Sequence, residues 1–435
     1  MLRHIQQRIF LAEAEQLHDD VPVTARLGPL SSSNFRLLVT SQVISVLGSQ
    51  FASVAVPFAV LAIHGTTADV GYVSAASMIT MMVCLLLGGA IADRMPRHRI
   101  IIATNALQCL AQAVGAALVL THHARVWELV GLAVFRGAAF GFFMPASQGL
   151  LPQTVDNDQL SQANAISRVG YNSAQISGAA VGGITVGLAG PGWGLAADAA
   201  SFAVAALLQT FLRFPALPSA AARHTLHELH EGWTEFKARR WLYAIVIQFS
   251  GVAAISVGTL TVLGPIVAHR HLGGAPSWGA IMAAYAAGSV LSGVAMIKIR
   301  FRRMLMAGLL AGQAFALLLF ALAVPLAVPL IAAAAFLSGA GAEVFEVNWV
   351  TTMQQEIPLT MLSRLSSFDM LGSMALAPAG ALVAGELASS YSLTAILAIG
   401  GLLIVVFTLI VLCVPDVRNL QRSQQPEASP EPVDG

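Results

Sequence analysis

Apolar runs of about twenty residues or more recur along this chain, and no other feature constrains its fold as strongly. A hydrocarbon layer about 30 Å thick is crossed by about 20 helical residues rising about 1.5 Å each. Such runs lie near Phe35–Ile63, Val70–Ile91, Ile100–Leu120, Trp127–Leu150, Asn164–Leu188 and Trp193–Phe214. After a polar interval they resume near Tyr243–Ala268, Trp278–Ile297, Met304–Ala323, Pro325–Val347, Phe368–Leu387 and Leu393–Val414. They are too long for outer-membrane barrel strands, which run to about 10 residues of alternating polarity. The expected fold is therefore an all-α integral membrane protein with 12 transmembrane helices. Composition agrees, because only 10% of the 435 residues are charged, against about 25% in soluble domains. Disorder is excluded for the same reason, and a net charge of +1 offers no basic field for nucleic acid.

The placement of Lys and Arg sets the expected orientation. If both termini are cytoplasmic, 19 of the 23 basic residues fall on the inner side, among them Arg94, Arg97 and Arg99 after span two and Lys298 to Arg303 after span eight. Outer loops then hold only Arg125 and Arg270, while Arg136 and Arg168 fall in spans or at their ends. An odd number of spans would erase this asymmetry. The charged opening MLRHIQQRIFLAEAEQLHDD has no unbroken apolar core and is not a signal peptide. The expected organisation is a cytoplasmic tail over 1–34, a six-helix half over 35–214, a central cytoplasmic loop over 215–240, a second half over 241–414 and a polar tail over 415–435.

The central loop contains HTLHELHEGWTEFKARRW, amphipathic enough to lie on a membrane surface. Its His224, His227 and His230 drift around a helix and read as a solvated face, not as metal ligands. Cys84, Cys109 and Cys413 stand singly in apolar runs, so no disulfide framework or zinc spacing exists. No cofactor or nucleotide-binding loop is indicated. The halves also echo each other. Ser161, Gly170, Gly178 and Gly183 recur 202 residues later as Ser363, Gly372, Gly380 and Gly385, and Pro57 and Gly71 recur 208 later as Pro265 and Gly279. Duplicated six-span halves with a site between them are a transporter architecture.

Gly89, Asp93, Arg94 and Arg97 stand where span two leaves the membrane. A small residue there admits a close helix neighbour, and a carboxylate can pair with an Arg or take hydrogen bonds from a helix N-terminus. Charges inside spans are costly and are functional candidates. These are Arg136 in span four, Asp198 in span six, and Glu343 with Glu346 on one face of span ten. Carboxylates in a low-dielectric cavity can cycle protons near neutral pH. Asp198 could equally brace span six, Arg136 reads as an internal counter-ion, and Asp369 reads as a charge at the N-terminus of span eleven.

The segment from Gly89 to Arg97 resembles the loop motif Gly-x-x-x-Asp-Arg-x-Gly-Arg of the major facilitator superfamily, with Pro96 in place of the second glycine. That resemblance implies a conformational latch at Gly89, Asp93, Arg94 and Arg97. Phe135-Arg136 through Pro145, Gln162-Ala-Asn164-Ala, Asp198-Ala-Ala-Ser-Phe and the stretch Leu362 to Ser373 resemble the twelve-span drug:proton antiporter branch of macrolide and siderophore exporters. Gly178, Gly182 and Gly183 resemble its antiporter motif, with Ala179 replacing the proline. The implied protein is not an enzyme but a monomeric secondary transporter in a bacterial cytoplasmic membrane, using protons to export an amphipathic small molecule. An importer of a small nutrient, or a non-transporting sensor or scaffold, are the other readings.

Overall fold

The computed structural model describes residues 28–92, 95–148, 150–156, 159–213, 233–299 and 301–420. His224, His227 and His230 lie outside these residues, as do Asp93 and Arg94. The apolar runs become helices: α1 Ser33–Ala62, α2 Thr67–Ala92, α3 Arg97–Leu120, α4 Val126–Gln148, α5 Leu160–Ala189 and α6 Pro191–Thr210. The second half repeats the pattern with α7 Arg240–His271, α8 Ala275–Met296, α9 Met304–Ala323, α10 Val328–Glu356, α11 over Leu359–Met374 and Ala377–Ser390, and α12 Leu393–Leu412. Among the described residues, eleven helices are long and apolar enough to cross a membrane. The remaining long helix is α5, whose first half, LSQANAISRVGYNSAQ, is rich in Ser, Asn and Gln.

Local sequence sets where the helices begin, end and bend. Ser32 and Ser392 cap α1 and α12, each hydroxyl accepting a backbone N–H at 3.3 Å. Gly190, at φ +93°, ends α5 in a conformation that suits glycine, and Pro191 opens α6 with its preset φ. Within α7 the turn Gly258–Leu263 widens to a π-helix just before Pro265, which cannot donate to the carbonyl four residues back. Helix α11 begins at Leu359, not near Phe368. Its first turns, LTMLSRLSS, are too polar to register as an apolar run. Asp369 is therefore well inside the helix and is not a charge at its N-terminus.

A buried polar network ties three helices together in each half. In the first, Asn105 of α3 donates to Gln209 of α6 at 2.7 Å, and Gln209 donates to Ser41 of α1 at 3.1 Å. In the second, Gln248 of α7 and Gln313 of α9 both donate to Thr408 of α12. Buried side-chain amides are costly unless partnered, so each network fixes the register of its three helices. On the outer face, large apolar side chains such as Leu188 and Ile297 are exposed, as a lipid-facing surface requires. Trp127, Trp193 and Tyr391 are exposed at helix ends, the usual depth of interfacial aromatics.

The hydrophobic core differs between the two ends of the bundle. At the end away from the chain termini, one cluster joins both halves, combining Ala55, Val70 and Val186 with Ile266, Trp278, Ala381 and Leu397. At the end near the termini there are two separate clusters. One contains only first-half residues, around Leu38, Ile101 and Leu212. The other contains only second-half residues, around Leu242, Leu305, Trp349 and Val411.

The repeated glycines make this shared end possible. A methyl group on Gly183 of α5 would lie 2.8 Å from the Cα of Gly279 in α8. One on Gly385 of α11 would lie 3.2 Å from the Cα of Gly71 in α2. Gly183 repeats as Gly385 and Gly71 as Gly279, so these are pseudo-symmetric crossings. Within the halves, Gly178 packs on the backbone of Leu47 in α1 and its repeat Gly380 on that of Ala254 in α7. Side chains close the same end: Thr67 donates to the Gly385 carbonyl at 3.1 Å, and the Tyr72 hydroxyl donates to Glu386. The bundle is thus sealed between the halves at the end away from the termini.

Candidate functional site

Glu343 sits on α10, the helix that also carries Phe345 and Trp349. Its Oε2 accepts a hydrogen bond from the Ser289 hydroxyl of α8 at 2.8 Å. Its Oε1 lies 3.4 Å from Nη2 of Arg168, which projects from α5 in the other half. The carboxylate side chain is 17% exposed and the arginine side chain 67%. An exposed pair would contribute about 0–1 kcal/mol, but here one partner is largely withdrawn from water and depends on the other for its counter-charge. Gly293 stands beside it, where a Cβ would come 3.2 Å from Oε1. The site therefore draws on α5, α8 and α10, and its ion pair crosses from one half to the other.

One turn further along α10, Glu346 is exposed and lines a cavity of about 410 Å³ between α7, α10 and α11. Asp369 of α11 lines the same cavity, accepting from Trp349 Nε1 at 3.0 Å and from the Ser373 hydroxyl at 3.1 Å. Glu346 feels the charges of Asp369, Glu343 and Arg168 together. Phe249, Phe345 and Trp349 make up a parallel set of rings on this wall, 5.2 Å and 6.3 Å apart with interplanar angles of 7°.

Asp198 and Arg136 lie elsewhere. Asp198 is 1% exposed and packed within the first half. Gln112 of α3 donates to its Oδ2, while Oδ1 has no hydrogen-bond partner among the described residues. Gly48 of α1 leaves space filled chiefly by the Ser201 side chain, with Asp198 Oδ1 3.0 Å from where a Cβ would lie. Arg136 of α4 is half-buried and interacts electrostatically with Asp198. Both charges are carried entirely by helices of one half. The four charges read from the sequence thus separate into two groups, Asp198 with Arg136 and Glu343 with Glu346.

Of the four residues for which a latch is expected, Gly89 lies in α2 and Arg97 opens α3, with Asp93 and Arg94 outside the described residues. Gly178 and Gly182 face α1, where a Cβ on Gly182 would come 2.9 Å from the Phe51 Cα, whereas Gly183 faces α8. One glycine-rich turn therefore serves packing inside a half and packing between halves. Sequence reasoning missed Arg168 and Asp369 as site residues. By sequence Arg168 reads as a cation in or at the end of a span, whereas it stands well inside α5, which begins at Leu160.

Two halves joined by small-residue crossings over a polar midsection are the architecture of a membrane transporter. The chain belongs to the major facilitator superfamily: residues 24–433 match the family of transmembrane secretion effectors. It is 25% identical to the multidrug efflux pump Tap of Mycolicibacterium fortuitum, over 87% of this chain and 95% of that one. It is also 25% identical to the enterobactin exporter EntS of Shigella dysenteriae serotype 1, over 86% and 91%. Its fold is similar to the nucleoside transporter NupG in the D323A mutant form, with a TM-score of 0.72, 12% identity, and coverage of 88% of this chain and 99% of that one. It is also similar to a bacterial homologue of the human lysosomal transporter Spinster in an inward-facing, occupied conformation, with a TM-score of 0.65, 15% identity, and coverage of 90% and 98%. The protein is a multi-pass membrane transporter and not an enzyme.

Proposed function

We propose that this transporter exports an amphipathic small molecule across a bacterial cytoplasmic membrane in exchange for protons. In this reading α5 is the twelfth span, both termini are cytoplasmic, a monomer suffices, and the halves over 35–214 and 241–414 rock about the site. The sealed end then faces outward, and the end with separate cores opens to the cytoplasm.

The observation that carries the proposal is the Arg168–Glu343 pair. A coupling group must change its partner or its access as the halves move. Glu343 meets this condition, because its cationic partner belongs to the other half. Asp198 does not, since its neighbours Gln112, Arg136, Gly48 and Ser201 all travel with the first half. Glu343 is accordingly the proton carrier, Glu346 belongs to the substrate cavity, and Asp198 with Arg136 braces the first half. Gly89, Asp93, Arg94 and Arg97 latch the cytoplasmic end when it closes.

Proteoliposomes with an imposed pH gradient test the assignment. Glu343→Gln should abolish gradient-driven transport while permitting equilibrium exchange of substrate. Undiminished gradient-driven transport in that variant would remove Glu343 as the proton carrier.

A further inference from the structure

We infer that the groove between α7, α11 and the short helix at 233–238 binds one anionic phospholipid, its headgroup at Lys237 and an acyl chain along Ile247 and Leu376. The lipid belongs to the leaflet at the terminal end of the bundle, and its binding is independent of what is transported.

The groove suits a hydrocarbon chain. It forms a cavity of about 800 Å³, walled by Val246 and Ile247 of α7 and by Phe368, Leu371 and Leu376 of α11. Ile247 is 68% exposed and Leu376 49%, so the groove presents apolar surface that hydrocarbon, not water, covers favourably. The Ser250 hydroxyl on its floor is already engaged, accepting the Leu376 N–H at 3.3 Å. From Arg240, where α7 begins, to Ser250 is about 15 Å of helix. That is one leaflet's share of a hydrocarbon layer about 30 Å thick. Leu376 also lines a second apolar cavity of about 510 Å³, which continues along α7, α11 and α12 as far as Tyr391. A chain entering at the terminal end therefore meets apolar wall along its whole length.

The mouth of the groove is cationic and aromatic. Trp233 stacks on Phe236 at 5.7 Å, and both rings pack on Phe368 of α11, at 5.7 Å and 6.0 Å, which fixes the short helix against the bundle. Lys237 lines the same cavity, its ammonium 4.8 Å from the centre of the Trp233 ring. Arg239 and the exposed Arg240 follow, and Glu235 is held by Arg239 at 2.6 Å. Residues 233–240 thus carry three cations against one acid. Trp233 and Tyr243 bring aromatic rings to the mouth, as expected at headgroup depth. Cations beside an apolar surface select anionic headgroups, whereas a zwitterionic lipid brings the same chains without net charge. In the proposed orientation this leaflet is the cytoplasmic one, whose surface is negative.

The test is photocrosslinking of the full-length protein carrying Ile247→p-benzoylphenylalanine, in bilayers of equal phosphatidylglycerol and phosphatidylcholine with identical acyl chains. Mass spectrometry of the adducts gives the ratio of the two lipids at the groove. Phosphatidylglycerol should exceed phosphatidylcholine about fivefold or more, the worth of one surface cation to an anionic lipid. The same label at Ile410 of α12, 59% exposed and outside the groove, should give a ratio near one. Lys237→Gln should bring the ratio at Ile247 to within about twofold of that at Ile410, whereas Lys298→Gln, an exposed lysine after α8, should leave it high. Equal ratios at Ile247 and Ile410 with Lys237 in place would overturn the inference. So would an undiminished ratio in a Lys237→Gln protein with the wild-type melting temperature. Soluble glycerol phosphate should not displace the lipid, and displacement would assign Lys237 to a free anion instead. No transport is measured, so the result stands apart from the export reading.

Discussion

The crossing of α5 and α8 gives the sharpest test of how the halves seal. Gly183→Ala places a Cβ 2.8 Å from the Gly279 Cα and 2.9 Å from the Ala275 carbonyl oxygen. Both are backbone atoms, so no rotamer change relieves the contact, and the two helices must separate. Overpacking of this kind costs about 1–3 kcal/mol. The cost falls on the sealed state alone, because the crossing is absent once that end opens. The gain in helix propensity on replacing glycine, about 0.5–1 kcal/mol, applies to both states and cancels. At about 1.4 kcal/mol per factor of ten, the ratio of sealed to open molecules should fall roughly five- to a hundredfold. Spin labels at His122 and Ser390, which are exposed at the sealed end on opposite halves, report this population by pulsed electron resonance once the three cysteines are replaced. The short-distance component should shrink in Gly183→Ala and in its symmetry mate Gly385→Ala, whose Cβ would lie 2.9 Å from the Thr67 carbonyl oxygen. Gly131→Ala, where a Cβ meets nothing within 4 Å, should behave as wild type. A distance distribution in Gly183→Ala indistinguishable from that of Gly131→Ala would refute the reasoning.

The other expectations concern the charged residues. Arg168→Gln should reduce gradient-driven transport at least tenfold in proteoliposomes, with Arg168→Lys retaining part of it, because a point charge still compensates Glu343. Asp198→Ala removes the carboxylate that balances Arg136 inside the first half, so a destabilisation of about 3–5 kcal/mol is expected in thermal unfolding. Glu343→Ala, at the edge of the cleft, should cost less, and the reverse order would argue against Asp198 as a brace. Asp93→Asn should slow turnover with little change in substrate affinity, read from paired transport and binding assays.

Much of the fold is legible in the sequence because a membrane span needs a long apolar run, and such runs survive inspection by eye. The limits appear where polarity and span coincide. The polar first half of α5 and the opening turns of α11 are helical although no apolar run marks them, which a hydropathy window cannot register. The glycine repeats are legible as spacing, but only the structure reveals that Gly71 meets Gly385 and Gly183 meets Gly279. The site is half legible. Intramembrane acids identify themselves by their cost in lipid, so Glu343 and Glu346 stand out. The partners of the buried acids do not: Arg168 lies 175 residues from Glu343 on the other half, and the neutral donors Ser289 to Glu343, Gln112 to Asp198 and Trp349 to Asp369 resemble any other residue of an apolar helix. Asp369 reads as a helix-start charge in the sequence because the polar turns from Leu359 that precede it carry no apolar signal.

The two separate clusters near the chain termini also bear on covalent continuity. Each half has its own apolar centre and its own amide network, so neither borrows from the other to hold its helices in register. The two halves meet through the shared end, by side chains and not by peptide bonds. A polypeptide interrupted between Arg213 and the short helix at 233–238 would lose no helix–helix interface described above. Two co-expressed fragments, each carrying six of these helices, should find one another through the glycine crossings and rebuild the intact bundle. The linker would then act chiefly as a tether that raises the local concentration of one half around the other.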